Sequence, residues 1–372
     1  MWFIVLGMML GTKPAASDVR HDESILFFPS YAYRQGDAGS WTAVVRGAVF
    51  DPRSHSLRKA AAVRALRYAT KRDFTPLERK RFDRRVGGFL VGPKRGKSVV
   101  VRFGIREYEI GRSASDGSFS ETIRLPKSLI ERNGDTAANL PRWLSFEAVT
   151  SGRRMPKYPG RIQLIGPRGL SVISDIDDTI RDSNVADRSA LLTNTFIHPF
   201  RPVAGMSKLY RAFAKQGVAM HYVSGSPWQL YEPIAEFLRT QRFPDGSVHL
   251  KPFHFSRHSV TKLFASPAKT KPKAILPILA AFPERRFVLI GDSGEQDPEI
   301  YGEIARRHKR QIAGIFIRNV HTENSTAARF RKAFEGIDRN VWQIYDRSEQ
   351  LKTALKPLAA RYAGTAAVAK RP

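Results

Sequence analysis

Cysteine is missing from all 372 residues. Disulfides, thiolate metal sites and a lipidated N-terminal Cys are therefore excluded. Acidic residues are scarce: 34 Asp and Glu stand against 62 Lys and Arg, a formal net charge of +28. Such a field concentrates polyanions around the molecule. No internal repeat is visible, and no apolar run is long enough to cross a bilayer. The longest N-terminal run, residues 1–10, is followed by Pro14, Ala15, Ala16 and Ser17. It reads as a secretory signal peptide over residues 1–20, although Lys13 lies on the wrong side of it; a buried N-terminal strand is the alternative. On the signal reading the protein is exported, periplasmic or extracellular; otherwise it is cytoplasmic.

What is present suggests two domains, since 372 residues at 42% hydrophobic can bury a sizeable core. From residue 21 to 166 the apolar stretches are short or alternating, at 41–45, 98–102, 107–110, 122–125, 143–149 and 161–165. Turn formers such as Asp116-Gly117 and Asn133-Gly134 separate several of them. This predicts a mainly-β sandwich or barrel. A basic stretch interrupts it: residues 53–97 hold 15 Lys and Arg against Asp73, Glu78 and Asp83. Arg58, Lys59, Arg64, Arg67, Lys71 and Arg72 mix there with Leu57, Val63 and Leu66 at near-helical spacing. A basic amphipathic helix can lie on an anionic membrane. It can also track a nucleic-acid backbone, or simply be a solvated face. From 167 to 350 strands alternate with helical periodicity, as at 207–216 and 234–240, which predicts a parallel sheet with crossover helices. Residues 351–372 read as a basic tail, frayed after Tyr362.

Three apolar runs in the second half each end in polar groups. They lead into Ser174-Asp175-Ile176-Asp177-Asp178-Thr179, into Val223-Ser224-Gly225-Ser226, and into Gly291-Asp292-Ser293-Gly294-Glu295-Gln296-Asp297. Lys269, Lys271 and Lys273 lie between the last two. Short apolar runs bounded by turn formers read as buried parallel strands. Ligands of open α/β sheets bind at the carboxyl ends of such strands. The set is what metal-assisted phosphoryl transfer requires, because an anionic phosphate ester admits a nucleophile only when cations offset its charge. Asp175 is the expected nucleophile, forming an aspartyl-phosphate. Asp177 is the expected acid/base, protonating the leaving alkoxide and then activating water. Mg²⁺ prefers oxygen ligands, here from Asp175, the backbone carbonyl of Asp177, Asp292 and Asp297. Ser224 and one lysine are expected at the phosphate. Thr179, Arg181, Gly225 and Ser226 flank them as expected substrate contacts.

The wording of these segments is narrower than the chemistry requires. The run from Ser174 to Ile180 followed by Arg181, the run from Val223 to Pro227 and Trp228, Phe282-Pro283, Gly291-Asp292-Ser293 and Asp297-Pro298-Glu299-Ile300-Tyr301 resemble one family. It is the family of actin-patch-associated phosphatidate phosphatases and their bacterial relatives, within the haloacid dehalogenase superfamily. The likeness runs over roughly residues 165–345; a fainter one touches Phe28-Pro29, residues 41–47 and residues 99–103. The resemblance implies a Rossmann-like, haloacid dehalogenase-type catalytic domain behind the mainly-β domain. It implies Asp175 as nucleophile, Asp177 as acid/base, Asp175, Asp292 and Asp297 at Mg²⁺, and Ser224 with Lys271 at the phosphate, Lys269 or Lys273 being alternatives. The substrate class it implies is phosphatidate or a related lipid phosphate. Phosphatases of nucleic acid, nucleotides or proteins, and a non-catalytic binder of anionic surfaces, stay open. An anionic lipid or membrane surface is the expected peripheral contact, nucleic acid the secondary one, with no obligate protein partner. About forty residues separate Asp175 from Ser224, too few for a large cap. Trp228 and Leu230 are placed either against an acyl chain or against the sheet. His249, His254 and His258 fit no helical zinc pair and read as loop histidines.

Overall fold

The computed structural model describes residues 16–34, 40–53, 64, 74–133, 142–151, 156–253, 267–320 and 327–363. The first sheet is nine-stranded: β1 (Ser24–Phe28), β2 (Ser30–Tyr33), β3 (Ser40–Asp51), β4 (Gly92–Pro93), β5 (Ser98–Phe103), β6 (Arg106–Arg112), β7 (Ser118–Pro126), β8 (Arg142–Ala148) and β9 (Pro159–Leu164). Its order is β1-β3-β2-β9-β8-β5-β6, with β4 and β7 also paired to β3; β2 and β9 run parallel and the other pairs antiparallel. Strand periodicity is two, so β3 has two working faces. Ala43, Val45 and Val49 enter the core of this sheet, while Ala48 and Phe50 pack toward the second half of the chain.

Helix α1 (Pro76–Leu90) starts in a capping box: Thr75 accepts from the Glu78 N–H and Glu78 accepts in return from the Thr75 N–H. Its Phe82, Val86, Phe89 and Leu90 are buried at helical spacing. Arg85 is buried too, donating to the Thr195 and His198 carbonyls and stacking on Phe200 at 3.8 Å. Part of the basic stretch is thus consumed inside the fold. The expected basic helix around 57–72 lies outside the described residues except for Arg64, which is helical. A short helix, α2 (Lys127–Asn133), follows β7.

The second sheet has six strands: β10 (Leu170–Ser174), β13 (Ala219–Pro227), β14 (Ser247–Lys251), β15 (Arg286–Asp292), β16 (Ile312–Arg318) and β17 (Trp342–Tyr345). A two-stranded ladder, β11 (Arg181–Asp182) and β12 (Arg201–Pro202), lies beside it in the chain. The strand order is β14-β13-β10-β15-β16-β17, every pair parallel. The helices are α3 (Arg188–Phe196), α4 (Met206–Ala214), α5 (Tyr231–Thr240), α6 (Pro267–Ala281), α7 (Asp297–Arg307), α8 (Ala328–Ala333) and α9 (Ser348–Ala363). Both faces of the sheet are covered. Val172, Val288 and Ile290 point into one core; Ile173, Phe287 and Leu289 point into another, against Ile275, Ile278 and Tyr301. Each such aliphatic side chain stabilises by about 1.5–3 kcal/mol, which is why the strands read as unbroken apolar runs. From β10 the chain steps one way to β13 and β14 and the other way to β15, β16 and β17, leaving a switch point between β10 and β15.

Two boundaries and one residue placement need correction. Residues 351–363 are not a tail. Leu351, Leu355 and Ala359 recur every four residues and are buried, so α9 packs into the core; residues 364–372 lie outside the described residues. Residues 17–20, assigned to the leader, are folded: Ser17 bridges Thr150, its Oγ contacts both backbone groups of Val100, and Val19 is buried. Residues 1–15 lie outside the described residues. Finally, His249 is no loop histidine. It sits on β14, buried, because a parallel edge strand covered by the first sheet has no solvated face; His254 and His258 lie outside the described residues.

Candidate active site

Register explains why distant motifs meet. Ser174 is level with Tyr222 on one side and Ile290 on the other. Asp175, Ser224 and Asp292 each follow within two residues, at the same end of the sheet. The chain then turns sharply: the Ile180 and Arg181 N–H groups donate back to the Ile176 carbonyl at 3.0 and 2.9 Å. Asp178 adopts φ 53°, a left-handed conformation that Asp tolerates better than most residues. Its carboxylate accepts from the N–H groups of Ser183, Asn184 and Val185 at 2.7, 2.8 and 2.6 Å. Asp178 therefore builds the loop, leaving its neighbours to the chemistry.

One carboxylate oxygen from each of Asp175, Asp292 and Asp297 lies within 4.8 Å of the other two, and all three residues are buried. Lys271 enters from α6, its Nζ 2.9 Å from Asp175 Oδ1 and 3.1 Å from Glu295 Oε2, and also ion-paired with Asp297. Lys271 is buried while Lys269 and Lys273 are exposed, so only Lys271 among the three reaches the carboxylates. Thr179 Oγ1 donates to Asp175 Oδ2 at 3.2 Å. Asp292 Oδ1 accepts from the Gly294 and Glu295 N–H groups at 2.7 and 3.1 Å, whereas its buried Oδ2 has no hydrogen-bond partner among the described residues. Gly291 permits the closure: a Cβ there would come 2.2 Å from Asp297 Oδ2.

Burial pushes the Asp175 carboxyl well above the ordinary range; Lys271 pulls it back, and Asp297 and Glu295 push it further up. Burial likewise raises Asp292, with Asp297 and Asp175 adding to it. Lys271 moves the other way. Burial would lower it, but Asp175, Asp297 and Glu295 hold it charged. Four carboxylates thus surround one ammonium in a dry site, where unpaired charge is expensive. Three oxygen donors, one of them unpartnered, and excess negative charge fit a divalent cation such as Mg²⁺.

Asp177 forms a neighbouring subsite. Its Oδ1 accepts from Arg181 Nε at 3.0 Å, from a second Arg181 nitrogen and from Ser183 Oγ at 2.7 Å. Its Oδ2 accepts from Ser224 and Ser226 hydroxyls at 3.2 and 3.0 Å. Burial alone would raise Asp177, yet Arg181 and these donors outweigh it and hold the carboxyl below its usual value. Arg181, Ser224 and Ser226, expected at substrate, thus hold Asp177 in this structure. Gly225 lies between the two serines, partly exposed, with nothing within 4 Å of a Cβ built there. Trp228 and Leu230 are buried, Trp228 against Phe28 and Phe50, so neither is free for an acyl chain at this site.

Two side chains here carry no signal in the sequence alone. Glu295 was one acid in a polar loop until Lys271 paired with it. Lys251, at the end of β14, is brought down to about 8 by burial, with Glu295 raising it in opposition, which sets it beside the same cluster. Glu295 stands in the segment after the third apolar run but was given no role there, and Lys251 belongs to none of the motifs.

Residues 170–319 match the family model of phosphatidate phosphatase APP1, catalytic domain. Over this stretch the chain is similar to that catalytic domain. The matched segment contains every carboxylate of the cluster, together with Asp177, Arg181, Ser224 and Lys271. Phosphatidate phosphatase APP1 of Saccharomyces cerevisiae is 35% identical over 191 residues, covering 50% of this chain and 32% of that protein. An uncharacterized protein of Schizosaccharomyces pombe is 30% identical over 183 residues, covering 48% of this chain and 30% of that protein. The chain therefore spans about a third of the length of these curated relatives. Among solved structures, a Parabacteroides merdae β-glucuronidase aligns over 80% of this chain and 34% of its own at 8% identity, with a TM-score of 0.25. That likeness is too slight to carry any argument.

Proposed function

We propose that this protein is a Mg²⁺-dependent phosphatase that hydrolyses a lipid phosphate such as phosphatidate, through an aspartyl-phosphate, on a Rossmann-like domain of haloacid dehalogenase type. One observation supports this most: Asp175, Asp292 and Asp297 converge beside Lys271 inside the segment similar to the phosphatidate phosphatase catalytic domain. When bound, Mg²⁺ would supply charge neutralisation for the phosphoryl group, held by Asp175, Asp292 and Asp297. Asp175 attacks phosphorus, and the bond from phosphorus to the diacylglycerol oxygen breaks. Lys271 favours the ionised form of Asp175 against the effect of burial and orients the carboxylate. An entering phosphate competes for Arg181, Ser224 and Ser226, which frees Asp177 to carry a proton to the leaving alkoxide. The ionised Asp177 then takes a proton from water attacking the aspartyl-phosphate, and inorganic phosphate leaves.

The basic surface would hold the enzyme on an anionic membrane, and the apolar run at residues 1–10 supports export. Among the described residues no helix is long and apolar enough to cross a membrane. The test is phosphate release from phosphatidate in mixed micelles with a Mg²⁺ series, set against 3′-phosphorylated oligonucleotides, nucleotides and phosphopeptides. Mg²⁺-dependent release from phosphatidate above all others is expected. Preference for oligonucleotides or phosphopeptides would overturn the lipid assignment, and full activity in a metal chelator would overturn the role of the cation.

A further inference from the structure

The first sheet meets the edge strand of the second along a seam that is apolar at one end and cationic at the other. Phe28 and Phe50 lie against Trp228 with ring centroids 6.3 and 5.9 Å apart, and Phe28 meets Tyr231 at 5.1 Å. Beyond these rings the seam opens into a cavity of about 290 Å³. That is close to the lower end of ligand pockets, roughly 300–1,000 Å³.

Its walls divide by chemistry. Phe28, Phe119, Leu250 and Pro252 supply an apolar side. Arg46, Arg112 and Trp228 supply donors. Arg46 gives Nη1 to the Val248 carbonyl at 3.2 Å and to His249 Nδ1 at 2.6 Å, and Arg112 gives Nη1 to the Gly96 carbonyl at 3.1 Å. Among the described residues neither guanidinium is ion-paired with a carboxylate. Arg46 is half-buried, where a cation without a counter-ion is costly, and desolvation lowers its pKa. Trp228 is only 3% exposed and its indole N–H has no hydrogen-bond partner among the described residues. A buried donor without a partner is rare in native structures. Glu121 is the one carboxylate in the lining. Two guanidiniums against one carboxylate leave a single positive charge.

We propose that this cavity binds a small anionic amphiphile, an oxyanion headgroup on a hydrocarbon chain, with the headgroup against Arg46, Arg112 and the Trp228 N–H and the first methylenes against Phe28, Phe119 and Leu250. The oxyanion supplies the missing counter-ion and the missing acceptor, and the hydrocarbon fits the remaining wall. The cavity lies beside the catalytic end of the sheet. Leu250 and Pro252 flank Lys251, which interacts with Glu295, and Trp228 lies four residues beyond Ser224. Binding here requires no turnover, so the inference stands apart from the catalytic reading.

The test uses the full chain in a metal chelator, so that nothing is hydrolysed, and follows tryptophan emission during titration with 2-bromoundecanoate, whose bromine lies beside the carboxylate, below its micellar concentration. Bromine quenches an indole that it touches. Saturable quenching is expected, and Trp228→Phe abolishes its saturable part. Arg112→Gln, an exposed position that folding tolerates, raises the dissociation constant about tenfold, as loss of a charged hydrogen bond predicts. Arg46→Lys does the same where the variant folds. The neutral 2-bromoundecan-1-ol binds at least about tenfold more weakly, and inorganic phosphate displaces the acid only weakly. The proposal is overturned by absent or non-saturating quenching, by equal affinity for acid and alcohol, by wild-type affinity in Arg112→Gln, or by phosphate displacing the acid as well as unlabelled undecanoate does.

Discussion

Two polar clusters serve the parallel sheet, one at its central switch point and one at its β14 edge, and they are opposites. At the switch point, Asp175, Asp292, Asp297 and Glu295 crowd around the ammonium of Lys271. At the β14 edge, Arg46 leads a chain of neutral groups: it donates to His249, His249 pairs with Ser247 at 2.8 Å, and Ser247 pairs with His221 at 2.7 Å. The first cluster has too few cations, and the second has no carboxylate of its own. In a chain of net charge +28, a locally negative pocket has to be built from a handful of scarce acids. The contrast shows that the sign of a buried site is set by the few side chains that strand register brings together, and hardly at all by overall composition.

That contrast can be broken, and the largest effect should come from Asp175, the proposed nucleophile. Asp175→Asn is expected to lower kcat by at least about a thousandfold while the thermal midpoint holds or rises, since a buried carboxylate is removed from an overcrowded site. Substantial residual turnover would remove Asp175 from its role. Next in size is Lys271→Met, which strands four carboxylates without their ammonium. In metal-free buffer it should lose about 3–5 kcal/mol of unfolding free energy, and added Mg²⁺ should recover part of the loss. A neutral result in denaturant titrations would mean that Lys271 is not the counter-ion.

A third measurement sharpens the charge argument directly. Mg²⁺ at a hundredfold excess over its dissociation constant should stabilise the fold by about 2.7 kcal/mol, and Asp292→Asn should abolish most of that gain. Equal stabilisation of both proteins would place the ion elsewhere. The smallest effect is a pair of opposed pH slopes. Asp175 and Asp292 are raised in the fold, so their contribution is present below the ordinary carboxyl value and is lost as pH rises through the raised ones. His221 is lowered by burial to about 3, so its contribution is present above about 6.5 and is lost as pH falls toward 3. Unfolding titrations across that window should show magnesium removing the falling component and His221→Asn removing the rising one. Identical slopes in wild type and variant would erase the distinction between the clusters.

Much of the catalytic half was legible because its strands are covered on both faces. The runs ending at Ser174, Ser224 and Asp292 have nowhere polar to place a side chain until they leave the sheet, so the first polar residues mark the loop tips. The strands expected near 41–45, 98–102, 107–110, 122–125, 143–149 and 161–165 also form, because one-sided burial writes a period of two. Helix α9 was missed because Lys352, Lys356, Arg361 and several alanines mask the spacing of Leu351, Leu355 and Ala359. For Trp228 the sequence left an acyl-chain contact and packing against the sheet both open, because it does not reveal that Phe28 and Phe50, far earlier in the chain, cover it.

The sequence by itself determined which residues could do chemistry, because apolar patterning dictates where each strand must stop and which polar groups stand at its end. Only tertiary structure decided which of three lysines enters the pocket, that Glu295 and Lys251 join it, that Arg181 and two serines clasp Asp177, and that a cationic cavity lies on the seam. Those outcomes depend on register, helix orientation and the docking of one sheet on another. They join residues tens to hundreds of positions apart, and periodicity within a single segment holds no record of them.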